Sequence, residues 1–396
     1  MTASIYPPHA APPASIRQAW IDVDLAAIRY NAERLRTRAG APLVAMVKAD
    51  AYGLGAVAVA RTLGATFSDS AGRGTADLQL VWGLGIATIA EARELREAGC
   101  LARLLCCTPL LPENLVDAVA LDVTPSLHTA TDIQAWAAIQ GGAWHLSIDT
   151  GIARAGIRWD RVAELRAVLQ RCAPEGVFTH FHSAEAPNGS RELQELRFTE
   201  ACDALADVLP PNLLVHSDNS AAIAVRADAR GVVHGASDAS LVRPGIALYG
   251  AGNHVSLQLR QVFHLRARIV DLRDVHAGES VGYGATWSPT ETRRIATVPV
   301  GYADGYRRHL SNCGVALLHG QRCPVVGRIS MDMTTVDVTG ISCAIGDVLT
   351  LIGTDGAHTL TTDAVAKSGD LSPYELLVGM RLRLPRLYSP APLTTP

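Results

Sequence analysis

Eight short apolar runs punctuate the first 250 residues, and the stretches between them carry helical spacing. The runs are LVAMV (43–47), LVWGLGI (80–86), ARLLCC (102–107), LDVTP (121–125), WHLSI (144–148), GVFTHF (176–181), NLLVHS (212–217) and VRPGIALYG (242–250). Amphipathic segments such as ATIAEARELREAG (87–99) and SRELQELRFTEACDALADVL (190–209) lie between them. Strands that alternate with helices pair in parallel, and eight is the number that closes a barrel. The chain is therefore expected to be α/β, with an N-terminal (β/α)8 TIM-type barrel over residues 16–253. A doubly wound open sheet is the competing arrangement. From residue 254 the texture changes to short Val-, Ile- and Thr-rich runs split by Gly, Asp, Asn and Pro. That pattern predicts a C-terminal mainly-β domain over 254–388. Residues 1–15 are expected to be a disordered proline-rich arm and 389–396 a loose tail. The polar stretch 66–79 reads as a surface loop.

Charge excludes one class of partner. The 38 acidic and 35 basic residues give a net charge of -3, with no footprint for nucleic acid. No run of 18 apolar residues exists, so no membrane span is expected. The N-terminus lacks a basic segment followed by an apolar core and does not read as a secretory signal. The eight cysteines form no C-x-x-C pair and read as reduced thiols of a cytoplasmic protein.

In a (β/α)8 barrel the chemistry gathers at the C-terminal ends of the strands. That rule selects Lys48 and Tyr52 after the first run, and Asp149 and Arg154 after the fifth. It adds His180 and His182, then His216, Asn219 and Ser220, then Arg243, Gly245 and Ile246. A partly buried lysine amine is nucleophilic and can hold an aldehyde covalently. The residues alone leave a second reading, a lysine that snorkels from a strand end. Ser220 opens a helix, and a hydroxyl there beside close-approaching glycines suits a phosphate; a plain N-cap is the other reading. The His180–His182 pair raises a metal hydrolase as a rival. Strand alternation allows only one of the two to face inward, so no metal is expected.

The segment VKADAYGLG (47–55) resembles the cofactor-lysine segment of the alanine racemase family. IDTGIARAGI, THFHSAE, HSDNSAA and VRPGIALYG are similar to family segments in the same order. VGYGATW (281–287), VPVGYADGYRR (298–308), VGRISMDM (326–333) and a closing YELLVGMRLRLPRLY extend the likeness over nearly the whole chain. The resemblance implies a pyridoxal 5'-phosphate enzyme and a head-to-tail homodimer whose active sites are shared. It implies that Lys48 binds the cofactor and acts as one base, with Tyr283 of the partner subunit as the other. Tyr52, Ser220, Gly245 and Ile246 would hold the phosphate, with Asn219 alongside. Arg243 would face the ring nitrogen with His216 behind it, and His180 would lie beside the ring. Arg154 and the Met331 amide would bind the substrate carboxylate, and Tyr302 would line the access corridor.

The chain departs from that pattern at three places. Ser147 stands where many members carry a carbamylated lysine that steadies the carboxylate-binding arginine, so Arg154 is expected to be steadied by Asp149, by a bound anion, or less firmly. Leu382 aligns with a tyrosine that narrows the corridor. His182 and Ser183 alter the run after the sixth strand. These changes raise a racemase of larger amino acids, such as serine or 2-aminobutyrate, as an alternative to alanine. A decarboxylase on the same fold and a non-catalytic cofactor carrier are the remaining rivals. Arg243 and the GYGATW tyrosine speak against the first, and the β domain against the second.

Overall fold

A computed structural model describes residues 17–68, 74–75, 80–226, 240–252 and 254–389. The first strand is β1 (Ala19–Asp24). The Asp24 side chain then caps the helix Leu25–Ala39 by accepting from Ala27 N at 2.9 Å. Eight parallel strands follow: β2 (Leu43–Met46), β3 (Val81–Ile86), β4 (Leu104–Cys106), β5 (Val123–Leu127), β6 (His145–Asp149), β7 (Gly176–Phe178), β8 (Leu214–Asn219) and β9 (Ser240–Arg243). Their hydrogen-bonded order returns to its start. Gly176 of β7 pairs with His145 of β6, and Val242 of β9 closes on Leu43 of β2. The expected barrel is present and the open sheet is excluded. The runs are almost wholly apolar because a barrel strand is covered on both faces; Leu43 to Val47 are all buried.

The last run behaves differently from its apolar pattern. β9 stops at Arg243, because Pro244 has no N–H with which to continue the ladder. Ile246–Tyr249 tightens into a 3-10 turn.

The C-terminal part holds β10 (Phe263–Arg268), β11 (Asp271–Val275), β12 (Arg293–Val298), β13 (Val315–Leu318), β14 (Gln321–Pro324), β15 (Thr334–Asp337), β16 (Val348–Asp355) and β17 (Arg386–Ser389). One sheet runs in the order β14-β13-β16-β10-β1-β17, and another in the order β11-β12-β15. β1 is thus a strand of the C-terminal sheet, although residues from 16 onward were expected in the barrel. Ile21 lies opposite Leu265 of β10 in antiparallel pairing and opposite Arg386 of β17 in parallel pairing. The barrel ring is closed by eight strands, so the buried ladder groups of β1 must pair elsewhere.

Phe67–Ser68 and Gly74–Thr75, within the expected loop, form a two-stranded antiparallel pair. Ser389, assigned to the tail, is the last residue of β17, and its hydroxyl donates to Val23 O at 3.2 Å. The arm 1–15 and residues 390–396 lie outside the described residues. Among the described residues no helix is long and apolar enough to cross a membrane, and all eight cysteines are free.

A single apolar core runs from the barrel into the C-terminal sheet. Asn31 is buried where the barrel hands over to the second part. Its amide donates to Leu248 O (3.1 Å) and Arg260 O (3.0 Å), and its oxygen accepts from Arg260 N at 2.8 Å. Asn31→Ala should strand these backbone groups and lower unfolding stability by about 2–4 kcal/mol. A reduced urea midpoint with an unchanged slope would show it.

Candidate active site

β2 ends at Met46, and Lys48 opens a turn of unusual hand. Ala49, Asp50, Ala51 and Tyr52 all have φ between 51° and 57°. Left-handed helical geometry costs a non-glycine residue about 1–2 kcal/mol, so the surroundings must hold this turn. The Ala49 amide donates to Glu91 Oε1 at 2.7 Å. Glu91 Oε2 accepts from Ala87 N and Thr88 N (2.7 and 3.2 Å), where it closes the cap of the helix Ile89–Glu97. Asp50 Oδ1 accepts from Ala56 N at 2.7 Å. The turn brings half-buried Lys48 and buried Tyr52 to the rim of one cleft of 1860 Å³.

Ser220, Asn219, Arg243, Gly245, Ile246, Arg154 and His180 line the same cleft. The Ser220 hydroxyl accepts from Gly245 N (2.9 Å) and Ala247 N (3.3 Å), both in the turn after Pro244. A Cβ added at Gly245 would collide with the Tyr52 hydroxyl. Backbone amides, two hydroxyls and a position too tight for any side chain form a cup suited to a phosphate. Asn219 acts at this rim as a cap: Oδ1 accepts from Ala222 N (3.0 Å), and Nδ2 donates to Phe181 O (3.3 Å).

Arg243 is buried and its guanidinium is held by backbone carbonyls. Nη1 donates to His216 O (2.8 Å), and Nη2 donates to Thr179 O (2.6 Å) and Ser217 O (3.1 Å). Nη1 also lies 2.5 Å from His216 Nδ1. A guanidinium only donates, so His216 Nδ1 must accept and its proton sits on Nε2. That Nε2 is 2.7 Å from His145 Nδ1 and donates to it. His145 then carries its proton on Nε2, which faces Glu175 Oε2 at 3.5 Å, and Arg103 Nη1 donates to Glu175 Oε1 at 2.6 Å. Burial, then the Arg243 charge, holds His216 well below its ordinary pKa, so the imidazole is neutral. Glu175 is pulled down to about 2, first by the His145 N–H. His145, Glu175 and Arg103 escaped the sequence reading. The available signal was a histidine and a serine alternating within the apolar strand HLSID.

His180 is pressed down to about 3 by burial, and then by the charges of Arg243, Arg154 and Lys48. His182 also lines the cleft, contrary to the alternation argument. β7 ends at Phe178, so both histidines lie beyond the region where alternation applies. Among the described residues no group of three or more His, Cys, Asp or Glu could hold a metal ion. Arg154 is exposed at the rim. Asp149, one of the groups expected to steady it, accepts from Gly151 N (2.9 Å) and Ala153 N (3.1 Å), fixing the loop that carries the arginine. Ser147 is buried but lines the cleft, as does Cys107.

Tyr283, Tyr302 and Met331 do not line this cleft. They form a second group on the C-terminal part. Tyr302 N donates to Ser330 O (3.1 Å) and Ala303 N to Met331 O (3.0 Å), stitching two loops side by side. A Cβ at Gly282 would come within 3.0 Å of Arg328 N, so the Tyr283 turn packs on the same 327–333 segment. Tyr283 is 73% exposed, Met331 52% and Tyr302 40%. Leu382 is 86% exposed and also stands away from the cleft.

The low pKa of Glu175 has a measurable consequence. Its ordinary value is 4.5 and its folded value about 2, so its pairing stabilises the fold fully above about pH 5 and is lost as pH falls toward 2. Glu175→Gln should lower stability at neutral pH and flatten its decline between about pH 5 and pH 2, measured as urea midpoints across pH.

The model of the alanine racemase N-terminal domain matches residues 23–253, and that of the C-terminal domain matches 262–388. The alanine racemase of Deinococcus radiodurans is 38% identical over 369 residues, covering 92% of this chain and 97% of that protein. The solved alanine racemase of Streptomyces coelicolor A3(2) is 32% identical with a TM-score of 0.81, over 94% of this chain and 98% of that one. That of Bartonella henselae, described with covalently bound pyridoxal phosphate, is 26% identical with a TM-score of 0.78, over 94% and 99%. The chain therefore belongs to the alanine racemase family.

Proposed function

We propose that two copies of this chain assemble head to tail, and that each active site joins Lys48 of one copy to Tyr283 of the partner subunit as the two bases of an L-alanine/D-alanine racemase. One observation carries this reading. The candidate residues fall into two groups, one lining a cleft and one lying exposed on the C-terminal part. The cleft, at 1860 Å³, exceeds the roughly 300–1,000 Å³ of a small-molecule site. The excess is the space that Tyr283, Tyr302 and Met331 of the partner subunit would fill. The eight free thiols suit a reducing compartment, and we assign the enzyme to the cytoplasm.

The cup at Ser220, Gly245 and Ile246, with the Tyr52 hydroxyl, fits the phosphate of pyridoxal phosphate, and Lys48 lies on the same rim to hold its aldehyde. When bound, the cofactor supplies an electron sink for the charge left as the Cα–H bond breaks. With the cofactor bound, Arg243 would present a permanent cation to the ring nitrogen and could not readily pass a proton to it. Neutral His216 accepts from Arg243 and so offers no competing positive charge. His180, also neutral, lies near Lys48 and Arg154 without repelling either. Arg154, with the Met331 amide of the partner subunit, binds the substrate carboxylate and fixes Cα between the two bases. Lys48 handles the proton on one face and the Tyr283 hydroxyl on the other. Tyr302 of the partner subunit lines the corridor.

Complementation tests the shared site. Lys48→Ala and Tyr283→Phe should each abolish racemisation alone. Mixed and re-formed as dimers, they should recover about a quarter of the wild-type rate, because half the dimers are hybrid and each hybrid holds one intact site. No recovery would mean that both bases act within one chain. Cα-proton exchange in heavy water over alanine, serine and 2-aminobutyrate should show alanine as the preferred substrate.

A further inference from the structure

We propose that the C-terminal strand β17 is a clasp on the left-handed turn after Lys48, with Arg386 as its positioning residue. The inference rests on the reading of Lys48 as a catalytic base. Arg386 Nε and Nη2 both donate to Gly53 O, at 3.0 and 2.9 Å. Its remaining N–H groups donate to Arg381 O (2.7 Å), Leu384 O (2.6 Å) and Met380 O (3.0 Å). A guanidinium has five donors, and all five are spent on backbone carbonyls. Two residues on, the Tyr388 hydroxyl donates to Leu54 O at 3.1 Å. A Cβ added at Gly55 would overlap that hydroxyl, so the strand and the turn are in contact at consecutive positions.

The physical need for the clasp lies in the hand of the turn. Ala49 to Tyr52 turn the opposite way from an ordinary helix, so the carbonyls that leave the turn need donors from outside it. Arg386 and Tyr388 supply them at Gly53 and Leu54. Glu91 holds the other end through the Ala49 amide. The clasp is itself anchored, because Arg386 pairs with Ile21 and Tyr388 with Val23 in the C-terminal sheet. Removing the guanidinium frees the turn to relax toward the right-handed basin and carries Lys48 away from Cα. An error of about an ångström in a reacting group costs on the order of a hundredfold in rate without weakening substrate binding. Arg386 therefore belongs to kcat and not to KM.

The experiment uses the holoenzyme with Arg386→Gln, Arg386→Lys and Tyr388→Phe, reading steady-state alanine racemisation and amide hydrogen exchange. Arg386→Gln should lower kcat roughly ten- to hundredfold with KM within about twofold. Exchange across residues 48–56 should quicken by about tenfold while the barrel strands keep their protection. Tyr388→Phe should shift both readouts the same way by less, and Arg386→Lys, with three donors, should restore part of each. Unchanged exchange at 48–56, a turn that loosens without loss of kcat, or loosening spread evenly over the whole chain would overturn the proposal. If Arg386→Gln does not fold, Tyr388→Phe decides by the same two readouts. Activity retained by Lys48→Ala would instead sink the reading of Lys48, which the exchange data do not address.

Discussion

A buried guanidinium needs acceptors for its N–H groups, and the order of this active site follows from how Arg243 finds them. Its carbonyl partners come from Thr179, His216 and Ser217, so the ends of two neighbouring strands are locked to a third. Because arginine cannot accept, the hydrogen-bond direction is set from Arg243 through His216 to His145, whose other ring nitrogen faces Glu175 at 3.5 Å. Each imidazole has one permitted tautomer, and the far end of the series is a carboxylate tied to a surface arginine. Arg243, which lines the cleft, thereby keeps a fixed orientation with neutral His216 behind it. A site that must stabilise charge at Cα briefly, without protonating the ring, is served by that combination.

The closure of eight strands into one ring has a second effect. Every strand delivers its C-terminal end to the same rim, which is why Lys48, Arg154, His180, Ser220 and Arg243 converge although they are scattered over almost 200 residues. The ring has no vacancy for β1, so the N-terminal strand joins the sheet of the C-terminal part, and the two parts share one core. The second group of candidate residues sits exposed on that part and does not line the cleft of its own barrel.

Much of this was legible in the residues. The eight runs announced the barrel, because a strand buried on both faces writes itself as continuous apolar sequence. The strand-end rule then selected the lining groups without reference to any relative. What was not legible had three causes. The relay from His216 to Glu175 joins residues up to 71 positions apart whose polar character looks incidental within apolar strands. The turn at Ala49–Tyr52 contradicts local preference, since ADAY has no glycine to mark a left-handed course. The bond from Arg386 to Gly53 spans 333 residues, beyond any periodicity. Tyr283, Tyr302 and Met331 were selected by family resemblance alone, because an aromatic or a methionine in a glycine-rich turn carries no chemical signal of its own.

The position of β1 between β10 and β17 also sets a schedule. A chain made from its N-terminus releases Ala19–Asp24 long before Phe263–Arg268 exists, and longer still before Arg386–Ser389. At about 5–20 residues per second on the ribosome, the first strand waits tens of seconds for its neighbours. All the barrel strands can emerge in that interval, but the turn after Lys48 gains its last hydrogen bonds only when Arg386 and Tyr388 arrive. The left-handed geometry around Lys48 is thus completed only once Arg386 and Tyr388 have been made, so a chain cut short before them would carry the barrel's residues without the contacts that set its lysine.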